Sequence, residues 1–220
     1  MDKTAIAQPT RRQLIAGLAA APMMAGGPHI AAGADLVAAA RRQIGVTKGY
    51  DPAYRKLAYP NGDAPMNTGV CADVIVRAAR VAWGIDLQQL VHEDMAANFK
   101  AYPGRWGLTK PDRNIDHRRV PNLETYWRRC GAKVWEASES AMITGFPGTL
   151  EVGDILTWRG FPRGGPHVAI VSHTGVLPRV VQNHGFGARE DLLLTLWLDA
   201  AAGHYRWRPA LKPYRPYQQA

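Results

Sequence analysis

The chain has 220 residues, 46% of them apolar and 20% charged, and a formal net charge of +9. That balance excludes a disordered chain and suits one globular domain with a core of useful size. Its two cysteines are too few for a disulfide-built scaffold, and a domain of this length does not need one.

The first element is a leader. A polar, basic stretch from Met1 to Arg12 precedes an apolar one from Leu14 to about Ala34, which Pro22, Gly26, Gly27 and Pro28 interrupt. Such a run makes a poor membrane span and reads as a cleavable export signal. Thr10, Arg11, Arg12, Gln13, Leu14 and Ile15 are similar to the twin-arginine motif, although the same arginines also suit a general secretory signal. Ala32 and Ala34 form an A-x-A site that predicts cleavage after Ala34, and no cysteine follows it to carry a lipid anchor. Residues 1–34 are therefore expected to be the signal and 35–220 a single exported domain, periplasmic or secreted, monomeric, and without a stable membrane span once cleaved. A basic exported chain is drawn to the anionic polymers of the cell envelope; nucleic acid is not expected, since no nucleic-acid motif is present.

In the mature part, Leu36, Val37, Ala40 and Ile44 recur at helical spacing and predict a helix from Asp35 to Ile44, closed by Gly45. A loop follows through Pro52, Pro60, Gly62, Pro65 and Gly69. It carries Tyr50, Tyr54 and Tyr59, and loop aromatics commonly line a cleft, so Tyr59 is a candidate substrate contact. The clearest element is a helix from Val70 to Trp83, with Thr68 as its N-cap, Val70, Val74, Ala78 and Val81 as its buried stripe, and Gly84 as its stop. Asp86–Phe99 and Leu123–Arg129 read as further helices around a loop at 101–120. Beyond Gly131 come strands at Ile155–Trp158, His167–Ser172 and Arg179–Asn183, with Leu192–Leu198 and His204–Trp207 as two more. Helices first and an antiparallel sheet after them make the fold class α+β.

Cys71 falls in the first turn of the 70–83 helix. A thiol attacks only as thiolate, and unpaired amides with the positive end of a helix dipole stabilise that anion. They can also receive the charge developing on a carbonyl oxygen. The competing reading is a buried structural cysteine. Cys130 sits at a helix end, where the dipole has the wrong sign, and is read as structural; Cys71 is expected to be the more nucleophilic of the two. Among the seven histidines, His167 opens a strand just after a Gly and Pro rich loop and is the candidate base. Alternation puts His167, Ala169 and Val171 on one face, the small Ala169 leaving room for the helix start.

Asp73 lies about 200° around the helix from Cys71 and reads as a helix-start charge or loop anchor, with a substrate contact as the alternative. Asp116, His117, Arg118 and Arg119 form a charged cluster with two readings: an internal salt-bridged anchor, or recognition of a substrate carboxylate by Arg118 or Arg119. His92, His117 and His167 lack a metal-ligand spacing, and neither a phosphate loop nor a Rossmann fingerprint is present, so no metal and no cofactor are expected.

The run from Gly153 and Asp154 through Trp158, followed by His167 to Val171, resembles the paired strands of the NlpC/P60 and CHAP cysteine peptidases, in which a nucleophile on a helix precedes them. The runs TGVCADVIVRA at 68–78, LVHEDM at 90–95, NIDHRRVPNL at 114–123 and GHYRW at 203–207 more closely resemble a YijF-like bacterial family of unknown function (DUF1287), associated with that superfamily. The resemblance implies a papain-like NlpC/P60-type fold, with N-terminal helices packed on an antiparallel sheet. It implies a Cys71–His167 dyad cleaving amide bonds, with peptidoglycan peptides as substrate. The third group comes from the next strand: Gln182 aligns best, and Asn183 serves if a bulge turns that strand. Ala72 and Asp73 depart from the Ser-Gly that follows the nucleophile in NlpC/P60. Two alternatives stand beside the hydrolase: a catalytically silent envelope-binding module with the same cleft, and a cysteine acyltransferase or transglutaminase-like enzyme.

Overall fold

The computed structural model of the protein describes residues 28–160, 165–196 and 199–209. Four helices precede most of the sheet: α1 (Pro28–Arg41), α2 (Cys71–Trp83), α3 (Leu87–Asn98) and α4 (Val120–Arg129). Two short strands, β1 (Gly49–Tyr50) and β2 (Thr68–Gly69), pair in parallel between α1 and α2. The main sheet has β3 (Lys133–Glu136), β4 (Ile155–Trp158), β5 (His167–His173), β6 (Arg179–Asn183), β7 (Ala188–Leu192) and β8 (Ala201–Tyr205), in the order β3-β8-β4-β5-β6-β7. Every neighbouring pair in it is antiparallel, so the α+β class holds.

The helices cover one face of this sheet. Val74, Ile75 and Ala78 of α2 pack with Leu36 and Val37 of α1, with Leu123 and Trp127 of α4, and with Ile155, Val168, Ile170, Val181 and Tyr205 of the sheet. The opposite face carries Leu156, Trp158, Ala169, Val171 and Val180, roofed by Leu196 with Phe146, Leu150 and Leu193. Ala169 and Val171 thus lie on the face away from α2, which corrects the expectation that Ala169 makes room for the helix start. Period-two alternation gave the right partition of β5 but could not say which set faced the helices.

Other boundaries moved for identifiable reasons. The helix α2 is capped from inside: the Val70 N–H donates to Asp73 Oδ2 at 2.7 Å, while Thr68 belongs to β2. Every residue from Cys71 to Ala79 is buried, because α1 and the sheet enclose the helix from different sides, whereas Val81 is 58% exposed near its end. Gly84 closes α2 at φ 66°, where a side chain would be strained. Asp86 caps α3, and α4 begins at Val120 rather than Leu123, with a proline in its first turn. The strand β3 was not foreseen; its Lys133 and Val134 are exposed, so it lacks the apolar alternation that marks a strand in sequence. The run from Leu192 is not a strand: β7 ends at Leu192 and Leu193–Leu196 form a 3-10 turn, while residues 197 and 198 lie outside the described residues.

Most of the expected signal, residues 1–27, also lies outside the described residues. The helix α1 starts at Pro28, runs through the predicted cleavage position after Ala34, and stops at Arg41 rather than at Ile44. Gly33 in α1 packs directly on the turn before β4: a Cβ on Gly153 would come within 2.4 Å of the Gly33 Cα, and Gly153 itself sits at φ 85°. Gly153→Ala therefore combines a left-handed backbone with a steric clash and is expected to cost about 2–4 kcal/mol, read as a lowered midpoint in urea unfolding. Among the described residues no helix is long and apolar enough to cross a membrane.

Candidate active site

Cys71 occupies the first position of α2 and is 3% exposed. Its thiol borders a cavity of about 180 Å³ whose lining includes Tyr50, Val70, Trp106, Arg119 and Pro166. The backbone N–H groups of Val168 and Ala72 and the hydroxyl of Tyr50 lie close enough to the sulfur to favour its charged form. The Val168 amide is free to do so because the pairing of β5 with β6 reaches only as far as Ile170↔Val181. Beyond that point the two strands part, and the start of α2 meets β5 in the opening.

These donors do not make a thiolate. Burial pushes the Cys71 thiol up to about 11, helped by the Asp73 carboxylate and opposed by the Val168 and Ala72 amides and Tyr50. The expectation of an anion favoured by the helix start is thus overturned for the resting site: desolvation of the charged form outweighs the dipole. Burial also raises Cys130, which stands at the C-terminal end of α4, and both cysteines are free.

His167, the residue before Val168, is 3% exposed. Its Nε2 lies 2.7 Å from Gln182 Oε1, and Gln182 Nε2 donates to Asp191 Oδ2 at 2.9 Å. The Asp191 carboxylate only accepts, so it fixes which end of the Gln182 amide faces the ring. Gln182 must then accept from His167, and this network assigns the proton to Nε2 and leaves Nδ1 as the basic nitrogen. The ring lies against Trp158, centroids 5.6 Å apart, and His184, 4.6 Å apart. It therefore sits on the same sheet face as Ala169 and Val171, away from α2, and among the described residues no hydrogen bond joins it to Cys71. Burial, with the nearby charge of His184, lowers the His167 pKa to about 3. At neutral pH the site therefore holds a thiol and an uncharged imidazole.

The other candidates divide. Gln182 contacts His167, as its alignment suggested, whereas Asn183 does not: its Nδ2 donates to the Gly49 and Gly69 carbonyls at 3.0 Å each, tying β6 to β1 and β2. Asn183 is thereby a clamp on the segments that deliver Tyr50 and Cys71. Tyr59 packs edge-on against His92 and under Arg113, and is not among the residues lining the cavity at Cys71. The tyrosine that does reach the thiol is Tyr50, which the sequence offered only as one of several loop aromatics. Asp73 and Arg118 face each other in a buried bidentate pair, with both N–O distances 2.9 Å, which supports the anchor reading for both. Arg118 also donates to the carbonyls of Asp51 and Ala53. His117 is buried beside them, its pKa lowered by burial to about 4. Three contributors escaped sequence reasoning: Asp191, His184 and Trp158, whose relation to His167 depends on strand register. Among the described residues no group of three His, Cys, Asp or Glu side chains is placed to hold a metal ion.

A family model described as a domain of unknown function (DUF1287) matches residues 37–207. The uncharacterized protein YijF of Escherichia coli (strain K12) is 47% identical over 171 residues, covering 76% of this chain and 78% of that protein. No solved structure matches.

Proposed function

The chain belongs to the DUF1287 family, and from that membership and the Cys71 site we propose that it is an exported cysteine hydrolase cleaving amide bonds in peptidoglycan peptides. The observation that carries the reading is the meeting of α2 and β5. The Cys71 thiol sits beside the Val168 amide, one residue from a histidine whose Nε2 is held by Gln182. A nucleophile on a helix start, a histidine on the adjoining strand and an orienting amide on the next strand are the parts of a papain-like NlpC/P60 site. Here the His167 ring leans on Trp158, so the dyad requires it to reach Cys71 around the start of β5. The antiparallel sheet behind the helices is consistent with that fold. The basic chain and its leader-like N-terminus support an envelope substrate.

In this reading the thiol is not pre-ionised. As Cys71 Sγ bonds to the amide carbonyl carbon, its proton passes to His167 Nδ1 and the carbonyl π electrons move to oxygen. Amides around the helix start, with Val168 and the Tyr50 hydroxyl beside them, are positioned to stabilise that oxyanion. Collapse of the intermediate breaks the C–N bond, His167 returns the proton to the leaving amine, and water releases the acyl group from sulfur.

Digesting purified peptidoglycan and identifying the fragments by mass spectrometry tests the proposal. Wild-type protein is expected to release fragments with one new amine and one new carboxylate per cut, and Cys71→Ala to release none while unfolding at the same temperature. Two features favour a silent envelope-binding module instead: the buried, neutral thiol, and a His167 ring that leans on Trp158 with no hydrogen bond to Cys71 among the described residues. That reading predicts co-sedimentation with peptidoglycan, identical for wild type and Cys71→Ala, and no fragments from either.

A further inference from the structure

The two arginines that close the 114–119 cluster have different surroundings. Arg118 is committed to Asp73 and to two backbone carbonyls, and its side chain is 2% exposed. Arg119, at the N-cap of α4, also lines the cavity that the Cys71 thiol borders, which Arg118 lines as well, but it is not committed to Asp73. Its guanidinium lies 4.2 Å from the centroid of the Trp106 ring, and its Nη1 donates to Asp116 at 3.1 Å. Asp116 is 1% exposed and sits behind it, while the Arg119 side chain keeps 18% of its surface. A guanidinium has five N–H donors in a planar fork, and among the described residues no acceptor other than Asp116 takes one from Arg119. Val120 and Pro121, the first residues of α4, line the same cavity, so the positive end of that helix lies at the same place.

A flat cation held by a ring on one side and a carboxylate behind it, with donors that no other described acceptor takes, and lining both the Cys71 cavity and the neighbouring pocket that Asp116 borders, can take a second carboxylate edge-on. We infer that Arg119, stacked on Trp106, is the specificity-determining residue of this site and receives a free carboxylate of the substrate. The amide offered to Cys71 then belongs to, or adjoins, a residue with an unblocked carboxyl group. This rests on the hydrolase reading for its meaning, but the subsite can be measured without any hydrolysis.

Cys71 itself is the reporter, since iodoacetate and iodoacetamide differ by the carboxylate alone. At pH 9, the ratio of iodoacetate to iodoacetamide rates at Cys71 is expected to exceed the same ratio in urea-unfolded protein about tenfold, equivalent to ~1.4 kcal/mol. Arg119→Gln should bring it down to the unfolded value, and Arg119→Lys should keep part of it. Arg119 also holds Asp116, so the unmutated protein supplies a second readout. N-acetylalanine should protect Cys71 from iodoacetamide at about one-tenth the concentration that N-acetylalaninamide needs. An unchanged ratio in a folded Arg119→Gln protein, equal protection by acid and amide, or no labelling of Cys71 by either reagent would each overturn the inference. Intact preferences with no cleavage of peptidoglycan would instead remove the hydrolase reading and leave the carboxylate subsite standing.

Discussion

Asp73→Asn is expected to lower the stability of the fold by about 3–5 kcal/mol, more than any surface change in this chain. Asp73 and Arg118 are 4% and 2% exposed at their side chains, and the pair is bidentate. Removing the carboxylate charge leaves the Arg118 guanidinium buried without a counterion, and an uncompensated buried charge is the costly half of such a pair. The same oxygen that binds Arg118 Nη2 also accepts the Val70 N–H, so the cap of α2 weakens with it. Arg118→Met tests the reverse case. It strands the Asp73 charge next to the thiol it already disfavours, and it releases the Asp51 and Ala53 carbonyls that fix the segment after Tyr50. Urea unfolding of the three proteins checks this; a loss under about 1 kcal/mol for Asp73→Asn, the range of exposed pairs, would mean that water reaches the pair.

Much of the helical half could be read from residues alone, because α2 and α3 carry their own boundaries: Gly84 and Asp86 are local signals that tertiary contacts did not override. The strands β4, β5 and β6 were equally legible, since Gly153, the 160–166 loop and Pro178 bracket them. What the sequence could not carry was orientation across the sheet. His167, Gln182 and Asp191 form a chain over three strands, and only register decides that Gln182 rather than Asn183 meets the ring. Tyr50 and Tyr59 were indistinguishable on a loop; the parallel pairing of β1 with β2 is what sets Tyr50 opposite Gly69, two residues before Cys71. The acidity of Cys71 was misjudged for a related reason. The helix start is visible in sequence, but the depth at which α1, β5 and the Tyr50 segment bury it is not.

That depth gives the last expected result. With the thiol pushed up to about 11, native Cys71 should react with iodoacetamide at pH 7.5 about 10²-fold more slowly than a cysteine in the unfolded chain, whose pKa is about 8.5. Its rate should climb tenfold per pH unit to at least pH 10 with no plateau. A preformed thiolate–imidazolium pair predicts the opposite, a flat rate from mildly acidic pH upward. His167→Ala should leave this alkylation within about twofold, because the neutral imidazole holds no proton that could favour the thiolate, yet, under the proposed hydrolase reading, lower peptidoglycan cleavage about 10³-fold by removing the proposed general base. Stability should follow the same groups. The raised Cys71 thiol contributes stability that is present below its unfolded pKa and is lost as pH climbs from about 8.5 toward 11. The lowered His167 imidazole contributes stability that is present above about 6.5 and is lost as pH falls toward 3. Cys71→Ser and His167→Ala should flatten the alkaline and acid limbs respectively. A plateau in the alkylation profile below pH 8, together with a His167→Ala protein that alkylates tenfold more slowly, would replace the neutral pair by an ion pair and restore the thiolate as the resting nucleophile.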